Sequence, residues 1–256
     1  MDLIVEEAEQ RQLVKGTISR ETIRLRLHEH DLKPWREKMW CIAELDDDYI
    51  QRMEQVLDIY AKPYDPRCPV ICLDEKPVAL FADSVARRPA QKPGQILLKD
   101  YEYVRSGSAN VFCAVEPKAG RYFNKVTNSR DGLEFSIFLT ELVSAYSSAD
   151  KITLVMDNLS THTLEVHKHH MEADLADQIW QRLEVCYTPK HASWLNQAEI
   201  AIGMYSRQCL GDGRVGSVLE LTRNTHAWNQ KINQEGRVIQ WRFTTSKARK
   251  SFGYAE

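Results

Sequence analysis

The spacing of apolar positions along the chain changes near residue 62, and this change predicts two parts with different architectures. Upstream, apolar side chains recur at the intervals of one helix face. A helix is predicted over residues 46–60, and the first forty residues are predicted to be helical as well. The stretch 62–69 contains three prolines, which interrupt the helical pattern. We therefore predict a small helical module over residues 1–62 and a second domain over residues 63–256.

Downstream of the prolines, short apolar runs alternate with amphipathic stretches. Strands are predicted over residues 70–73, 110–115, 122–127, 152–156 and 184–187, and helices over residues 133–146, 173–183 and 194–210. The second and third strands flank a short turn with proline and glycine, which predicts a hairpin. The order strand, hairpin, helix, strand, helix, strand, helix is that of the RNase H-like α/β fold, a mixed sheet flanked by helices.

The composition is that of a globular protein with an ordinary core. The chain has 256 residues, of which 43% are hydrophobic, and it needs neither disulfides nor a structural metal to fold. No apolar run approaches the roughly 20 residues that span a bilayer. The six cysteines form no Cys-x-x-Cys pair, so reduced, mostly buried thiols are predicted. We expect a soluble, cytoplasmic protein with no membrane partner.

Positive charge is concentrated in particular segments, although the net charge is −2. Residues 15–38 carry seven basic side chains against four acidic ones. Within this stretch Ser19 is a predicted helix N-cap, and the following helix presents a polar face formed by Arg20, Thr22, Arg24 and Arg26. Such a helix is similar to the second helix of a helix-turn-helix, which enters the major groove of DNA. The alternative is a solvated helix without a ligand.

A second basic segment is predicted to be a loop that follows the first strand of the second domain. It carries Arg87 and Arg88, together with Lys92 and Lys99. Basic side chains in such a loop can hold the phosphate backbone of DNA. We predict that Arg87 and Arg88 contact DNA, with a solvated surface loop as the alternative.

Two carboxylates directly follow buried strands. Asp74 comes after the apolar run 70–73, and Asp157 comes after the run 152–156. If the two strands are neighbours, the carboxylates converge at one edge of the sheet, where their repulsion and desolvation favour a bound cation. Oxygen ligands of this kind suit magnesium or manganese. Glu75 is predicted to point to the opposite face of its strand, which makes it a less favoured ligand than Asp74.

A third carboxylate, Glu199, lies on the helix predicted from residue 194. It falls on the apolar stripe of that helix, one turn after Leu195. The alternative role is a glutamate at the helix edge, solvated or paired with Arg207. Together the three acids predict a site for two divalent ions, one activating the attacking oxygen and the other stabilising the leaving oxygen of a phosphoryl transfer.

Two other groups of side chains have competing explanations. The histidine-rich segment 167–170 is predicted to be a polar surface loop rather than a metal site, because it has no cysteine partner. Most tryptophans are expected in the core. Trp194, beside the helix of Glu199, is the exception, and its ring is a candidate to stack on a flipped base.

Four ordered segments, 69–77, 100–105, 155–162 and 187–199, resemble the bacterial insertion-sequence transposases of the mariner-like superfamily. The resemblance implies a DDE (RNase H-like) catalytic domain in which Asp74, Asp157 and Glu199 are the catalytic residues and the ligands of two Mg²⁺ or Mn²⁺ ions. It also implies supporting or DNA-contacting roles beside this triad for Asn158, His162, Lys190, His191 and Asn196.

The resemblance implies an activity as well: cleavage of double-stranded DNA at terminal inverted repeats and joining to target DNA, typically at TA, by a homodimer associated with the bacterial nucleoid. The chain begins near the second of the two helix-turn-helix units usual in the family, which predicts an N-terminally shortened copy with only a helix-turn-helix remnant. Two alternatives remain open. One is another RNase H-like nuclease, and the other is a transposase remnant that only binds DNA.

Overall fold

The computed structural model describes residues 2–30, 45–211 and 213–254, and the chain divides into two compact units, 1–42 and 43–256. The first unit contains helices α1 (Asp2–Gln10) and α2 (Arg20–Glu29). Ser19 caps α2 as predicted, because its hydroxyl accepts a hydrogen bond from the Thr22 amide at 3.1 Å. Residues 31–38 of the predicted basic stretch, and Cys41, lie outside the described residues.

The second unit is built on a five-stranded sheet in the order β3-β2-β1-β4-β5. The strands are β1 (Val70–Asp83), β2 (Tyr103–Glu116), β3 (Arg121–Thr127), β4 (Ile152–Met156) and β5 (Leu183–Tyr187). β2 runs antiparallel to both of its neighbours, β1 and β3, whereas β4 and β5 are parallel to β1. The predicted RNase H-like class, a mixed sheet flanked by helices, is confirmed.

Helices cover both faces of this sheet. They are α3 (Asp47–Ala61), α4 (Gly132–Ala145), α5 (Leu164–His170), α6 (Ala173–Gln181), α7 (Ala198–Tyr205), α8 (Val218–Glu235) and α9 (Thr245–Phe252). Because side chains alternate along β2, Cys113 packs in the core under α3, α7, α8 and α9, and Phe112 packs in the core under α4 and α6. Among the described helices, none is both long and apolar enough to cross a membrane.

Helix α3 packs with the sheet, although the sequence predicted it as part of the N-terminal module. Its side chains Met53 and Val56 are fully buried, and Tyr60 is nearly so. The two compact units therefore divide between residues 42 and 43, whereas the sequence predicted the division between residues 62 and 63. The prolines at 63, 66 and 69 mark the end of a helix and not the edge of a packed unit.

Strand β1 is longer than predicted, because it continues through Asp74 to Asp83. Its parallel pairing with β4 ends at Cys72, and beyond that residue β2 is the one strand of the described ranges that pairs with it. Pro77 is exposed in this outer part of β1, where its lack of an N–H costs no bond to a second neighbour. Beyond this proline, buried and exposed side chains continue to alternate, with Val78 and Leu80 buried.

Two other predicted segments differ from the structure. The segment 167–170 belongs to helix α5 and is not a polar loop, and His167 is fully buried near the ring of Trp180. The helix predicted over 194–210 is divided into a 3₁₀ turn (Ser193–Leu195), α7 and a π-helical turn (Ser206–Leu210). Asn196 causes the first division, because its Oδ1 accepts a hydrogen bond from the Ala198 amide and begins a new helix.

The outer edge of β3 is covered by asparagines of helix α8. The side chain of Asn233 accepts a hydrogen bond from the Tyr122 amide and donates one to the Tyr122 carbonyl, both at 2.8 Å. Asn229 donates to the Asn124 carbonyl at 2.8 Å. These two residues lie one helical turn apart. Their side chains hydrogen-bond to backbone groups of β3 that a further strand would otherwise pair with.

Candidate active site

The site lies where the parallel pairing of β1 with β4 ends. The last parallel pair joins Cys72 of β1 to Val155 of β4. Asp74 and Asp157 each lie two residues beyond that pair, so both project from the same edge of the sheet. The adjacency of β1 and β4, on which the sequence prediction depended, is present in the structure.

Asp74 is half-buried and surrounded by other acids. Its Oδ1 accepts a hydrogen bond from the Glu75 amide at 2.8 Å, and its Oδ2 lies 3.3 Å from Nδ2 of Asn196. Burial is the main cause that raises the pKa of Asp74 to about 7. The Glu75 amide opposes this increase, while the charges of Glu199, Glu75 and Asp157 add to it. Glu199 and Asp157 are therefore close enough to interact electrostatically with Asp74.

Glu199 is exposed in the first turn of α7, and the start of this helix is fixed to β1. The buried side chain of Asn196 makes the connection, because its Nδ2 donates to the Leu73 carbonyl at 2.8 Å while its Oδ1 accepts from the Ala198 amide, the first residue of α7. This link brings the acid on α7 to the same edge of the sheet as the acid on β1.

His162 lies between Asp157 and Glu75. Its Nε2 is 2.8 Å from Oε1 of Glu75, and its Nδ1 is 2.9 Å from Oδ1 of Asp157. Burial alone would lower the pKa of His162, but the two carboxylates outweigh burial and raise it to about 9. Glu75 does point to the opposite face of β1 from Asp74, as predicted, yet there it meets His162. This contact joins residues 87 positions apart, and no local pattern in the sequence predicts it.

The acids have the chemistry of a divalent-cation site. The Oδ1 atom of Asp157 is buried and accepts no well-directed hydrogen bond, although Nδ1 of His162 lies within ion-pair distance. The partly buried Asp74 is held near three other carboxylates and has no basic partner among its described hydrogen bonds and ion pairs. Carboxylate oxygens that lack proton donors are the ligands that Mg²⁺ and Mn²⁺ prefer. The residues therefore fit the predicted ions.

The other residues predicted near the triad lie at the rim of the site. Asn158 directly follows Asp157 and is exposed. Lys190 and His191 are exposed on the loop after β5, and His191 has a φ of +60°, in the left-handed region that non-glycine residues seldom occupy. Trp194 follows on the 3₁₀ turn with 40% of its surface exposed, and its ring contacts Phe243 edge-to-face.

The predicted DNA-contacting residues lie on two exposed segments. In the first unit, the side chains of Arg20, Thr22, Arg24 and Arg26 on α2 are all exposed, with Arg24 paired to Glu21 and Arg26 paired to Glu29. In the second unit, Arg87 and Arg88 lie in the β1–β2 loop, residues 84–102. Arg87 pairs with Asp83 at 2.5 Å, and Arg88 forms a backbone bridge with Leu98.

The β1–β2 loop also exposes apolar side chains, which the sequence analysis did not predict. Ile96, Leu97, Leu98 and Tyr101 expose between 52% and 85% of their surface. Large aliphatic and aromatic side chains grouped this way on one loop are unusual for a surface that stays in water.

Comparison with known proteins gives one family match. Residues 69–222 match the family model described as DDE superfamily endonuclease. No curated protein sequence matches the chain significantly.

The fold is similar to solved structures of the Mos1 mariner transposase. A Mos1 paired-end complex with Mn shares 15% identity at a TM-score of 0.48, covering 91% of this chain and 74% of the other. The Mos1 strand transfer complex shares 14% at a TM-score of 0.49, covering 92% and 74%. The Mos1 catalytic domain shares 11% at a TM-score of 0.44, covering 78% of this chain and all of the other.

Proposed function

The chain belongs to the DDE superfamily of endonucleases, since the family model spans residues 69–222, and on this premise we propose that it is an insertion-sequence transposase of the mariner-like branch. It cuts DNA at the terminal inverted repeats of a mobile element and joins the freed strand to target DNA at TA. The observation that carries the proposal is the parallel pairing of β1 with β4, which brings Asp74 and Asp157 to one edge of the sheet. The charge of Glu199, which contributes to the raised pKa of Asp74, supports its place as the third acid.

The three acids hold two divalent ions, Mg²⁺ or Mn²⁺. When bound, these ions supply activation of the attacking oxygen and stabilisation of the leaving oxygen. Asp74 favours their binding, because its carboxylate is partly desolvated among other negative charges and gains from a nearby cation. Asn196 hydrogen-bonds to both Asp74 and the start of α7, and these two contacts fix the position of Glu199 relative to β1.

The rim of the site receives the DNA strand that is cut. Lys190 and His191 are exposed on the loop that leads to Glu199, and Asn158 is exposed directly after Asp157. Their side chains can donate hydrogen bonds to phosphate oxygens on either side of the scissile bond. The left-handed backbone of His191 fits this role, because such strained residues cluster at functional sites.

Recognition of the element end belongs to helix α2 and to the β1–β2 loop. Arg20, Thr22, Arg24 and Arg26 face solvent on α2, the helix that the sequence predicts to enter the major groove. The ion pairs of Arg24 and Arg26 with acids of the same helix are exposed and worth little in water. Phosphates can therefore displace those acids at small cost. Arg87 and Arg88 add contacts with the DNA backbone.

We further propose that the enzyme acts as a homodimer, associated with the nucleoid in the bacterial cytoplasm. The support for the dimer is the apolar group on the β1–β2 loop, including Ile96 and Tyr101, which a second copy would cover. Handling two element ends together also requires two catalytic domains. Light scattering of the protein with and without DNA, comparing the wild type with Ile96→Asp, tests the dimer directly.

The catalytic proposal is tested with a labelled duplex that carries the inverted repeats flanking the gene. We expect nicking and strand transfer that need Mg²⁺ or Mn²⁺ and disappear in Asp157→Ala, while Glu141→Ala, an exposed acid on α4, behaves as the wild type. Cleavage without joining would favour another RNase H-like nuclease. Binding without cleavage by the wild type would favour a remnant that only binds DNA.

A further inference from the structure

His162 bridges two carboxylates that belong to different elements of the fold. One is Glu75 on β1, 2.8 Å from Nε2, and the other is Asp157 after β4, 2.9 Å from Nδ1. Nδ1 also lies 3.3 Å from the Asp157 carbonyl oxygen. Both ring nitrogens are thus already engaged with oxygens, and the ring connects the second catalytic acid to a residue outside the triad.

The bridging ring is held rigidly. The side chain of His162 has no exposed surface, and the side chain of Glu75 is only 3% exposed. The ring of Phe135 lies 4.4 Å from the imidazole at an angle of 30°, and the hydroxyl of Tyr187 donates to the His162 carbonyl at 2.7 Å. Neither the imidazole nor Glu75 has room to take another orientation without moving these neighbours.

The carboxylate of Asp157 is held asymmetrically. Its Oδ1 atom is buried against His162, whereas 39% of the side chain as a whole is exposed. The other oxygen, Oδ2, is therefore accessible from solvent. An aspartate without such a neighbour would be free to rotate about χ2 and exchange its two oxygens.

We propose that Glu75 and His162 are positioning residues that fix the rotation of the Asp157 carboxylate, so that one oxygen is reserved for the divalent ions of the proposed transposase. This arrangement, which we call the carboxylate clamp, consists of Glu75, His162 and Asp157. Glu75 acts only through His162 and does not touch an ion. The inference rests on the proposed function for its purpose and on the contacts above for its geometry.

The opposing possibility is that the same three residues hold an ion directly. Their ligand atoms all lie within 4.8 Å of one another, which is compatible with a shared ion. A cation between them would displace contacts that are already made, because Nε2 lies 2.8 Å from Oε1 of Glu75 and Nδ1 lies 2.9 Å from Oδ1 of Asp157. A buried glutamate also needs a hydrogen-bond partner, and Nε2 of His162 supplies one.

The two possibilities differ in what glutamine can do at position 75. A glutamine amide oxygen accepts a hydrogen bond from Nε2 and maintains the clamp, but it is a poor ligand for Mn²⁺. Mn²⁺ affinity is therefore measured by electron paramagnetic resonance on the full chain without DNA, for the wild type, Glu75→Gln, Glu75→Ala and Asp157→Asn. Glu141→Ala is the control for loss of an acid elsewhere.

For the clamp we expect Glu75→Gln to weaken Mn²⁺ binding by less than about tenfold and Glu75→Ala to weaken it by about 10- to 100-fold, the range for residues that orient a metal ligand. Equal, large losses in Glu75→Gln and Asp157→Asn would identify Glu75 as a ligand and overturn the proposal. Wild-type affinity in both Glu75 variants would also overturn it. If Glu75→Ala does not fold, the comparison of Glu75→Gln with Asp157→Asn still decides.

DNA cleavage by the same variants separates this proposal from the proposed function. If the wild type cuts no DNA, the transposase proposal fails, while the Mn²⁺ measurements still test the clamp. A second outcome is that the wild type cuts DNA and Asp157→Asn does not. If the Glu75 variants then match the wild type in both DNA cleavage and Mn²⁺ affinity, only the clamp proposal fails. For the clamp we expect kcat to fall in Glu75→Ala with little change in KM for DNA, because the DNA-contacting surface is unchanged.

Discussion

The hydroxyl of Tyr60 donates a hydrogen bond to the carbonyl oxygen of Leu195 at 2.9 Å, across 135 positions of the sequence. The same hydroxyl lies 3.4 Å from the amide of Gln197, and the ring packs edge-to-face against Trp241. Helix α3 is thereby bonded directly to the turn that precedes Glu199. A helix that the sequence assigned to the N-terminal module is in fact a support of the candidate active site.

We expect Tyr60→Phe to lower the free energy of unfolding by about 1–3 kcal/mol, because the buried Leu195 carbonyl and Gln197 amide both lose a partner. Cleavage should fall more than DNA affinity, since the change displaces the turn before Glu199 and no DNA-contacting side chain. Urea unfolding and single-turnover cleavage measure the two effects. Tyr64→Phe, at a tyrosine that is half exposed, is the control, and equal behaviour of the two variants would contradict the prediction.

Asn196→Ala should lower the free energy of unfolding and raise the Mn²⁺ concentration that cleavage requires. The change removes the hydrogen bonds to the Leu73 carbonyl and to Asp74, and it removes the acceptor of the Ala198 amide at the start of α7. We expect a loss of about 1–3 kcal/mol in unfolding free energy and a higher Mn²⁺ concentration for half-maximal cleavage. Asn158→Ala, at an exposed position beside the site, should leave the unfolding free energy unchanged. An unaltered Mn²⁺ requirement in Asn196→Ala would show that this side chain does not position the acids.

Neighbouring arginines of the β1–β2 loop should differ in their contribution to DNA binding. Arg87 is engaged with Asp83, whereas Arg88 is exposed and bridges Leu98 through its backbone. If Arg88 contacts a phosphate, Arg88→Ala reduces the slope of log affinity against log salt by about 1. Arg87→Ala should reduce it less, because its charge is already compensated. Filter binding between low and moderate salt measures the slopes, and equal slopes for the wild type and Arg88→Ala would exclude this contact.

Trp194→Ala should weaken binding of DNA with an unpaired base at the cleavage position. The indole is 40% exposed on the turn between Lys190 and Glu199, and stacking on one base contributes about 1–3 kcal/mol. Trp194→Phe should recover most of this affinity, because phenylalanine retains a ring of similar orientation. Fluorescence anisotropy with paired and unpaired substrates distinguishes the cases. An equal loss on both substrates would indicate damage to the packing with Phe243 instead.

Glu116→Gln should stabilise the protein at neutral pH. Burial raises the pKa of Glu116, against the hydrogen bond from Tyr146 and the charge of Arg121, both of which lower it. An acid whose pKa is raised by folding stays protonated to a higher pH in the folded state than in the unfolded chain. The free energy of unfolding therefore falls as the pH rises above the pKa that this acid has in the unfolded chain. The increase in unfolding free energy from Glu116→Gln should therefore be present at pH 7 and disappear near pH 4. Thermal unfolding across this range measures it, with Glu141→Gln as an exposed control; a constant difference would contradict the assignment.

The fold and the three acids could be predicted because the signals for them are local. A short, wholly apolar strand that ends in a carboxylate can be recognised within a few residues, as at Ile152–Met156 followed by Asp157. Helix caps are equally local, and Ser19 and Asp46 begin their helices where the sequence predicts. The roles of the acids in catalysis stay predictions until the cleavage experiment is done.

The remaining features depend on contacts between distant parts of the chain. Glu75 and His162 meet only because β1 and β4 are neighbours, and no spacing along the sequence encodes that meeting. His167 is buried although its segment is polar, because α5 packs against α4 and α6. The outer half of β1 was not predicted, because the wholly apolar run ends at Leu73. Pro77 is tolerated there, since β2 is the strand that pairs with this part of β1.

The asparagines of α8 determine how copies of this chain can associate. Asn229 and Asn233 already hydrogen-bond to the backbone of Tyr122 and Asn124 at the outer edge of β3. These backbone groups are therefore not available to pair with a strand from a second molecule. High local concentrations, such as those on DNA carrying several element ends, therefore do not lead to intermolecular sheet growth at this edge. Association of two copies at this edge would instead have to use side-chain contacts.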